Sequence, residues 1–237
     1  MRLITLFLLT LAFPTLAAEK NPDPWEGFNR SMFTFNQKMD DNVLRPAAVG
    51  YKKVVPTPGR TALANMFSNF GEIKTIINDI GQLKLLQAGA DTSRFLINLT
   101  VGFFGVFDVA SNIGLKKHNE DFGQTLGYWG VPSGPYLMLP FLGPSTVRDS
   151  TGVGIEYAAN ISYANLGRND AEDLGLAVVY GLSVRAQLLD VEGMVSGDPY
   201  VFLRSFYLQH REFLINDGKT DDDFGDDDWD DFDDDWE

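Results

Sequence analysis

The 237-residue chain has no cysteine, two histidines and no surplus of basic residues, and each shortage closes a class of function. Without cysteine there is no disulfide, no thiolate nucleophile, no thiol ligand for a metal and no side chain to carry a lipid anchor. His118, in a polar turn, and His210, in a helical stretch beside Arg211, stand 92 residues apart and read as satisfied or solvated side chains. The sequence holds no G-x-S-x-G elbow, no G-x-G-x-x-G and no Walker loop. Arg148 and Asp149 can pair, but adjacent opposite charges behind a proline-rich stretch serve structure. No catalytic residue, metal or cofactor is expected.

The formal charge of −14 is concentrated at one end. Residues 218–237, "GKTDDDFGDDDWDDFDDDWE", hold 12 acids and one lysine, whereas residues 1–217 hold 21 acids and 18 bases. A nearly neutral body with an acidic tail lacks the basic footprint of a nucleic-acid binder. The tail's apolar side chains, Phe224, Trp229, Phe232 and Trp236, cannot bury a core, so a disordered tail is expected, with those aromatics as anchors for a basic partner. Its aspartates lack the spacing and turn glycine of an EF-hand.

What is present begins with "MRLITLFLLTLAFPTLAA", residues 1–18: one early arginine, an apolar run and small residues, the pattern of a signal peptide cut after Ala17 or Ala18. Export is expected. Next comes "NPDPWEGFNRSMFTFNQKMD". Asp23 is a favoured N-cap, Pro24 suits the first helical position and Glu26 can reach back to the cap. On the helix so started, Trp25, Phe28, Met32, Phe35 and Met39 fall within a sector of about 80°. Asn29 and Asn36 flank that stripe, and Phe33 stands off it. By pattern alone the stripe is an ordinary core face with a polar margin.

Further along, residues 43–60, with Pro46, Pro56 and Pro58, read as a connecting segment, and Gly71, Gly81 and Gly89 read as breaks between short helices. Residues 95–107 carry no charge across 13 positions, too few to cross a bilayer, where about 20 are needed, and suit a buried or in-plane helix. Residues 122–147 are uncharged across 26 positions, yet five glycines and four prolines exclude a continuous helix. That stretch is core-covered loop or passage wall, shaped by Gly130, Pro132, Gly134, Pro135 and Pro140. Residues 169–190 and 198–218 close the body as helices, the second capped by Asp198 and stopped by Gly218. Strand-like alternation is scarce, and an all-α body over residues 19–217 is expected.

"DPWEGFNR", "LGYWGVPSGPYLMLPFLGPSTVRD", "RAQLLD" and "DPYVFLRSFYLQHREF" occur in this order, and over roughly residues 21–217 the chain resembles the MlaA/VacJ family of Gram-negative outer-membrane proteins. The family's lipobox cysteine is absent here, and the acidic tail is no part of its pattern. The resemblance implies a ring of short amphipathic in-plane helices on the periplasmic side of the outer membrane, enclosing an amphipathic passage. Such a passage would take phospholipids mislocalised to the outer leaflet and pass them to a soluble periplasmic carrier, beside a trimeric porin. On that reading Trp25, Phe28, Met32, Phe35, Phe103 and Phe104 face lipid or the ring's packed core. Asn29, Arg30 and Asn36 face the passage or its rim, with Arg30 open to a phosphate or a neighbouring acid. The alternative reading is a soluble periplasmic lipid-binding protein using the same apolar residues to line a closed pocket.

Overall fold

The computed structural model describes residues 21–159, 161, 167, 169–189 and 197–218. The expected signal peptide and the acidic residues beyond Gly218 lie outside them. Helix α1 (Glu26–Met39) runs through a π-helical turn (Asp40–Leu44) into α2 (Arg45–Val54). Then come α3 (Thr57–Gly81), α4 (Leu85–Thr100), α5 (Val109–Asn112) and α6 (Phe122–Tyr128). A hairpin of β1 (Tyr136–Leu139) and β2 (Gly143–Thr146) precedes α7 (Val147–Ala158), α8 (Asp170–Leu188) and α9 (Pro199–Ile215). The fold is all-α, with this antiparallel hairpin, in register Tyr136↔Thr146 to Leu139↔Gly143, as the one sheet among the described residues.

Several expectations are corrected. Residues 43–60 are helical on both sides of Val55, because Pro46 and Pro58 fall in the first turns of α2 and α3, where a missing N–H has no partner to lose. Gly71 and Gly89 do not break helices. A lone helical glycine costs about 1 kcal/mol, which the packing of α3 along α4 outweighs, and only Gly81 marks an end. The uncharged stretch 95–107 is not one helix: α4 stops at Thr100 and the chain turns back on itself. Residues 122–147 are not loop throughout: α6 and the hairpin take most of them, and residues 129–135 connect the two irregularly. Asp23 does not cap α1, whose N-cap is Trp25 without a side-chain bond. Asp198 does cap α9, accepting from the amides of Tyr200 and Val201, and Gly218 takes φ +84° just past that helix.

The packing is inverted relative to a water-soluble domain. Eight hydrophobic side chains are buried among the described residues, against twenty-one polar or charged ones, while large hydrophobics such as Leu86, Val54 and Val101 stand in the open. The apolar core is Tyr136, Met138 and Tyr200, with Met32, Phe33 and Leu203 packed round it. Along α3 the inward face is Glu72, Thr75, Asn78 and Asp79, meeting Asp91, Arg94 and Asn98 of α4. Arg94 is wholly buried and bound to Glu72, Ser111 and the carbonyl of Leu115, so a charged side chain fills the place a leucine usually takes.

Candidate functional site

Asn29 and Asn36, seven residues apart on α1, lie on one helical face, and that rise of ~10 Å matches a three-residue step along a strand. Asn29 Nδ2 donates to the Tyr136 carbonyl at 3.0 Å and to Asp23 Oδ1 at 2.8 Å, and its Oδ1 accepts from the Met138 amide at 2.8 Å. Asn36 repeats the arrangement with the Leu139 carbonyl and the Phe141 amide, both at 2.8 Å. The two amides therefore clamp the hairpin instead of facing a passage, and Asn29 is fully buried with both of its donors committed. Arg30 is likewise committed to acids: it bonds Glu26 and Asp198 and lies over the Tyr200 ring, 4.4 Å from its centroid.

Beneath the clamp, Asp23 is fully buried and accepts from Tyr200 Oη, Arg204 and Asn29. Burial alone raises its pKa, and these donors outweigh that and hold the carboxyl below its ordinary range. Burial, with the Asp23 charge beside it, pushes the Tyr136 hydroxyl up to about 12. A second knot joins α6, α7 and α9. Arg211 bonds both Asp121 and Asp149, and Arg148 and Tyr207 also bond Asp149. Burial raises Asp121 too, but Arg211 prevails and brings it down to about 2. The knot requires α6 and α7 to touch backbone to backbone, since a Cβ on Gly152 would lie 2.5 Å from the Gly123 nitrogen. Arg148 and Asp149 thus serve structure, as adjacent opposite charges in this setting suggest.

Gly130, Pro132, Gly134, Pro135 and Pro140 shape the approach to this hairpin and its turn. Gly130 and Gly134 stand at φ +82° and +67°, which only glycine adopts without strain. None of the five lines the groove described below. The aromatic stripe of α1 faces outward: Trp25, Phe28 and Phe35 are exposed, while Met32 alone of the four packs on the core. Phe33, off the stripe, meets Tyr200 edge-on with ring centroids 5.6 Å apart. Phe103 and Phe104 are about two-thirds exposed and both left-handed, at φ +52° and +57°. Consecutive non-glycine residues in that region carry strain of about 1–2 kcal/mol each, here holding two large rings away from the protein.

The groove that sequence reasoning missed lies between α3 and α8. Phe67 and Tyr180 meet there with ring centroids 5.3 Å apart. On one side of that contact is an apolar cavity of about 620 Å³ among Leu63, Met66, Phe70, Leu176 and Val179, with Glu172 at its border. On the other, a polar cavity of about 360 Å³ carries Asn65, Lys117, Ser183 and Gln187. A further cavity of about 330 Å³ reaches Arg60 and Tyr51 and shares Asn65, Ser183 and Gln187 with the polar one. The helices run antiparallel, so polar residues of α3's first turns face those of α8's last turns, and apolar faces apolar. From Arg60 to Phe70 the groove changes character over ~15 Å of helix. Asp40 in the π-helical turn grips Arg185 of α8 through two bonds of 2.6 and 2.7 Å, fixing the wall beside it.

Polar within, apolar without and grooved between two antiparallel helices, the chain has the construction of a helical protein adapted to apolar surroundings, although no helix among the described residues is long and apolar enough to cross a membrane. The chain belongs to the MlaA lipoprotein family, whose model matches residues 21–214. It is 36% identical over 204 residues to the intermembrane phospholipid transport system lipoprotein MlaA of Escherichia coli K12, covering 83% of this chain and 80% of that protein. Its identity to the protein so named in Haemophilus influenzae is 35%, over 85% and 82% of the two chains. A solved structure described as the structural basis for maintenance of bacterial outer membrane lipid asymmetry aligns with a TM-score of 0.71 at 37% identity, covering 82% of this chain and 99% of that one.

Proposed function

We propose that the protein is the outer-membrane component of an intermembrane phospholipid transport system, withdrawing misplaced phospholipid and passing it to a periplasmic carrier, and so maintaining lipid asymmetry. The observation that carries this reading is the inverted packing: charged and amide side chains inside, Trp25, Phe28, Phe35, Phe103 and Phe104 outside. In water that arrangement forfeits about 25 cal/mol for every Å² of apolar surface left exposed, whereas against acyl chains it forfeits nothing. The α3–α8 groove supplies the passage, apolar where chains would lie and polar where a head group would lie. Moving a lipid between such surfaces breaks no covalent bond, and no catalytic group is assigned.

Two partners follow from the family resemblance: a trimeric porin beside the protein in the membrane, and a soluble lipid carrier on the periplasmic side. The aspartate-rich sequence 219–237 suits recruitment of a basic carrier, with its four aromatics as anchors. Deleting it should lower carrier capture, most at low salt, and leave membrane retention unchanged; equal capture by the truncated chain would end that role.

The transport reading is tested by Val179→Trp, which fills the apolar cavity. In cells lacking their own copy, this variant should reach normal abundance in washed outer membranes and fail to clear phospholipid from the cell surface, read by surface labelling. Full clearance with the groove filled would overturn the passage. Recovery of the wild-type chain in the soluble periplasm would favour the closed-pocket reading instead.

A further inference from the structure

We propose that the cavity at Arg60 is an anion site that takes the phosphate of a lipid head group and so gives the groove a direction, head at Arg60 and chains toward Phe70. This deepens the transport reading and rests on it. Arg60 donates from Nη2 to Thr57 Oγ1 at 2.9 Å, while its Nε is shut away from solvent with no partner. No acidic side chain lines its cavity. Tyr51 lines the same cavity with its hydroxyl also buried and unpartnered.

Two orphaned polar atoms in one cavity demand an explanation, because buried donors are almost always satisfied and each unsatisfied one weakens the fold. Elsewhere in this chain the buried arginines are met by carboxylates: Arg94 by Glu72, Arg148 by Asp149, Arg211 by Asp121 and Asp149. Arg60, half-buried with only its Nε enclosed, differs in having, among the described residues, a threonine hydroxyl and nothing acidic. A guanidinium fork with a tyrosine and two threonine hydroxyls around it, Thr57 and Thr61, matches the tetrahedral oxygens of a phosphate. The position adds specificity. The Arg60 cavity shares Asn65, Ser183 and Gln187 with the polar cavity, which in turn borders the apolar one at Phe67, so a phosphate bound at Arg60 has the rest of the groove beside it for attached acyl chains.

The test measures equilibrium binding to the full chain in non-ionic detergent of three probes: dihexanoyl phosphatidylglycerol, dihexanoylglycerol, which has the same chains and no phosphate, and inorganic phosphate. The wild type should bind the phospholipid at least tenfold more tightly than the diacylglycerol. Arg60→Gln should erase most of that ratio while leaving diacylglycerol affinity within twofold, and Arg60→Lys should retain part of it. Tyr51→Phe should weaken phospholipid binding a few-fold without lowering thermal stability. A tyrosine of purely structural use would not give that split, and this variant carries the test if the arginine variants lose helicity. An unchanged ratio in Arg60→Gln and Tyr51→Phe overturns the anion site and leaves the groove standing. Arg60-dependent capture of inorganic phosphate with no binding of either lipid overturns the lipid head group as ligand, and with it the passage, and leaves a free-anion site. Absence of binding by any probe overturns both.

Discussion

The hairpin side of the molecule and the α3 side both bury polar groups, and they treat them oppositely. Around the hairpin and the knot beside it, nearly every buried polar atom is closed against another: Asn29, Asn36, Asp23, Arg204, Asp149 and Arg211 all find partners, and the Tyr136 hydroxyl and Gln124 Oε1 are the exceptions. Along α2 and α3, atoms of Tyr51, Arg60, Asn69, Glu72 and Asp79 are buried without one. Closed polarity holds a fold, whereas open polarity spends stability to keep a surface available. The first region is a joint; in the second, Tyr51 and Arg60 line the groove cavity, whereas Glu72 and Asp79 are turned inward against α4.

Breaking the joint should have the largest effect. Arg211→Met leaves Asp121 and Asp149 buried without their shared cation, and loss of one partner from such a cluster costs about 3–5 kcal/mol. Denaturant unfolding in detergent reads this directly, and a loss below ~1 kcal/mol would mean the knot is solvated. Asn29→Ala removes three hydrogen bonds and strands the Met138 amide, for about 2–3 kcal/mol. It should also expose the hairpin to limited proteolysis before any other segment, and uniform cleavage would refute the clamp.

On the other side, substitution should stabilise. Burial raises Asp79 to about 7, with the neighbouring Asp91 and Glu120 adding to it. A carboxyl whose folded pKa lies above its unfolded value contributes stability below about pH 4 and loses it as pH climbs through 7. Asp121, held at about 2, has the opposite sign: its contribution is present above about pH 4 and fades as pH falls toward 2. Asp79→Asn mimics the protonated acid and keeps an acceptor for Gln87, which donates at 2.9 Å. It should gain about 2 kcal/mol at pH 8, gain little at pH 4, and flatten the slope between. A variant equally or less stable than wild type at pH 8 would show that Asp79 is ionised and satisfied.

How much of this the sequence disclosed depends on the range over which each signal acts. A cap such as Asp198 acts within a turn and was legible, as was the Arg148–Asp149 pair, whereas the equally local Asn169 cap was not read. Asp23 was assigned to the nearest helix because local rules favour it, yet its partners Tyr200 and Arg204 lie some 180 residues away. Asn29 and Asn36 looked like a polar margin because nothing local marks residues 136–139 as their strand. The groove required knowing that α3 and α8 run antiparallel, after which the gradient from Arg60 to Phe70 is plain in the residues. The α1 stripe was correctly spaced, but pattern alone favoured core and the family resemblance left lipid and core both open, since hydrophobic periodicity reports a shared face and not what covers it.

The outward rings offer the finest test of the comparison, because there stability and function should part by small amounts. Phe104→Gly removes a side chain from a left-handed residue and relieves strain of about 1–2 kcal/mol, while glycine's extra freedom in the unfolded chain returns about 0.5–1 kcal/mol of that. The net change in unfolding free energy should lie between about 0 and +1.5 kcal/mol, the smallest effect of the series. Membrane association should move the other way. A phenylalanine ring in hydrocarbon is worth about 1.5–3 kcal/mol, so losing it should weaken vesicle partitioning roughly 10-fold or more. Phe104→Leu separates the two terms: it keeps most of the apolar surface and all of the backbone strain, so it should partition nearly as wild type without the gain in stability. If Phe104→Gly floats with vesicles as well as wild type, the strained turn is not a membrane contact, and the two left-handed phenylalanines are held outward for another partner.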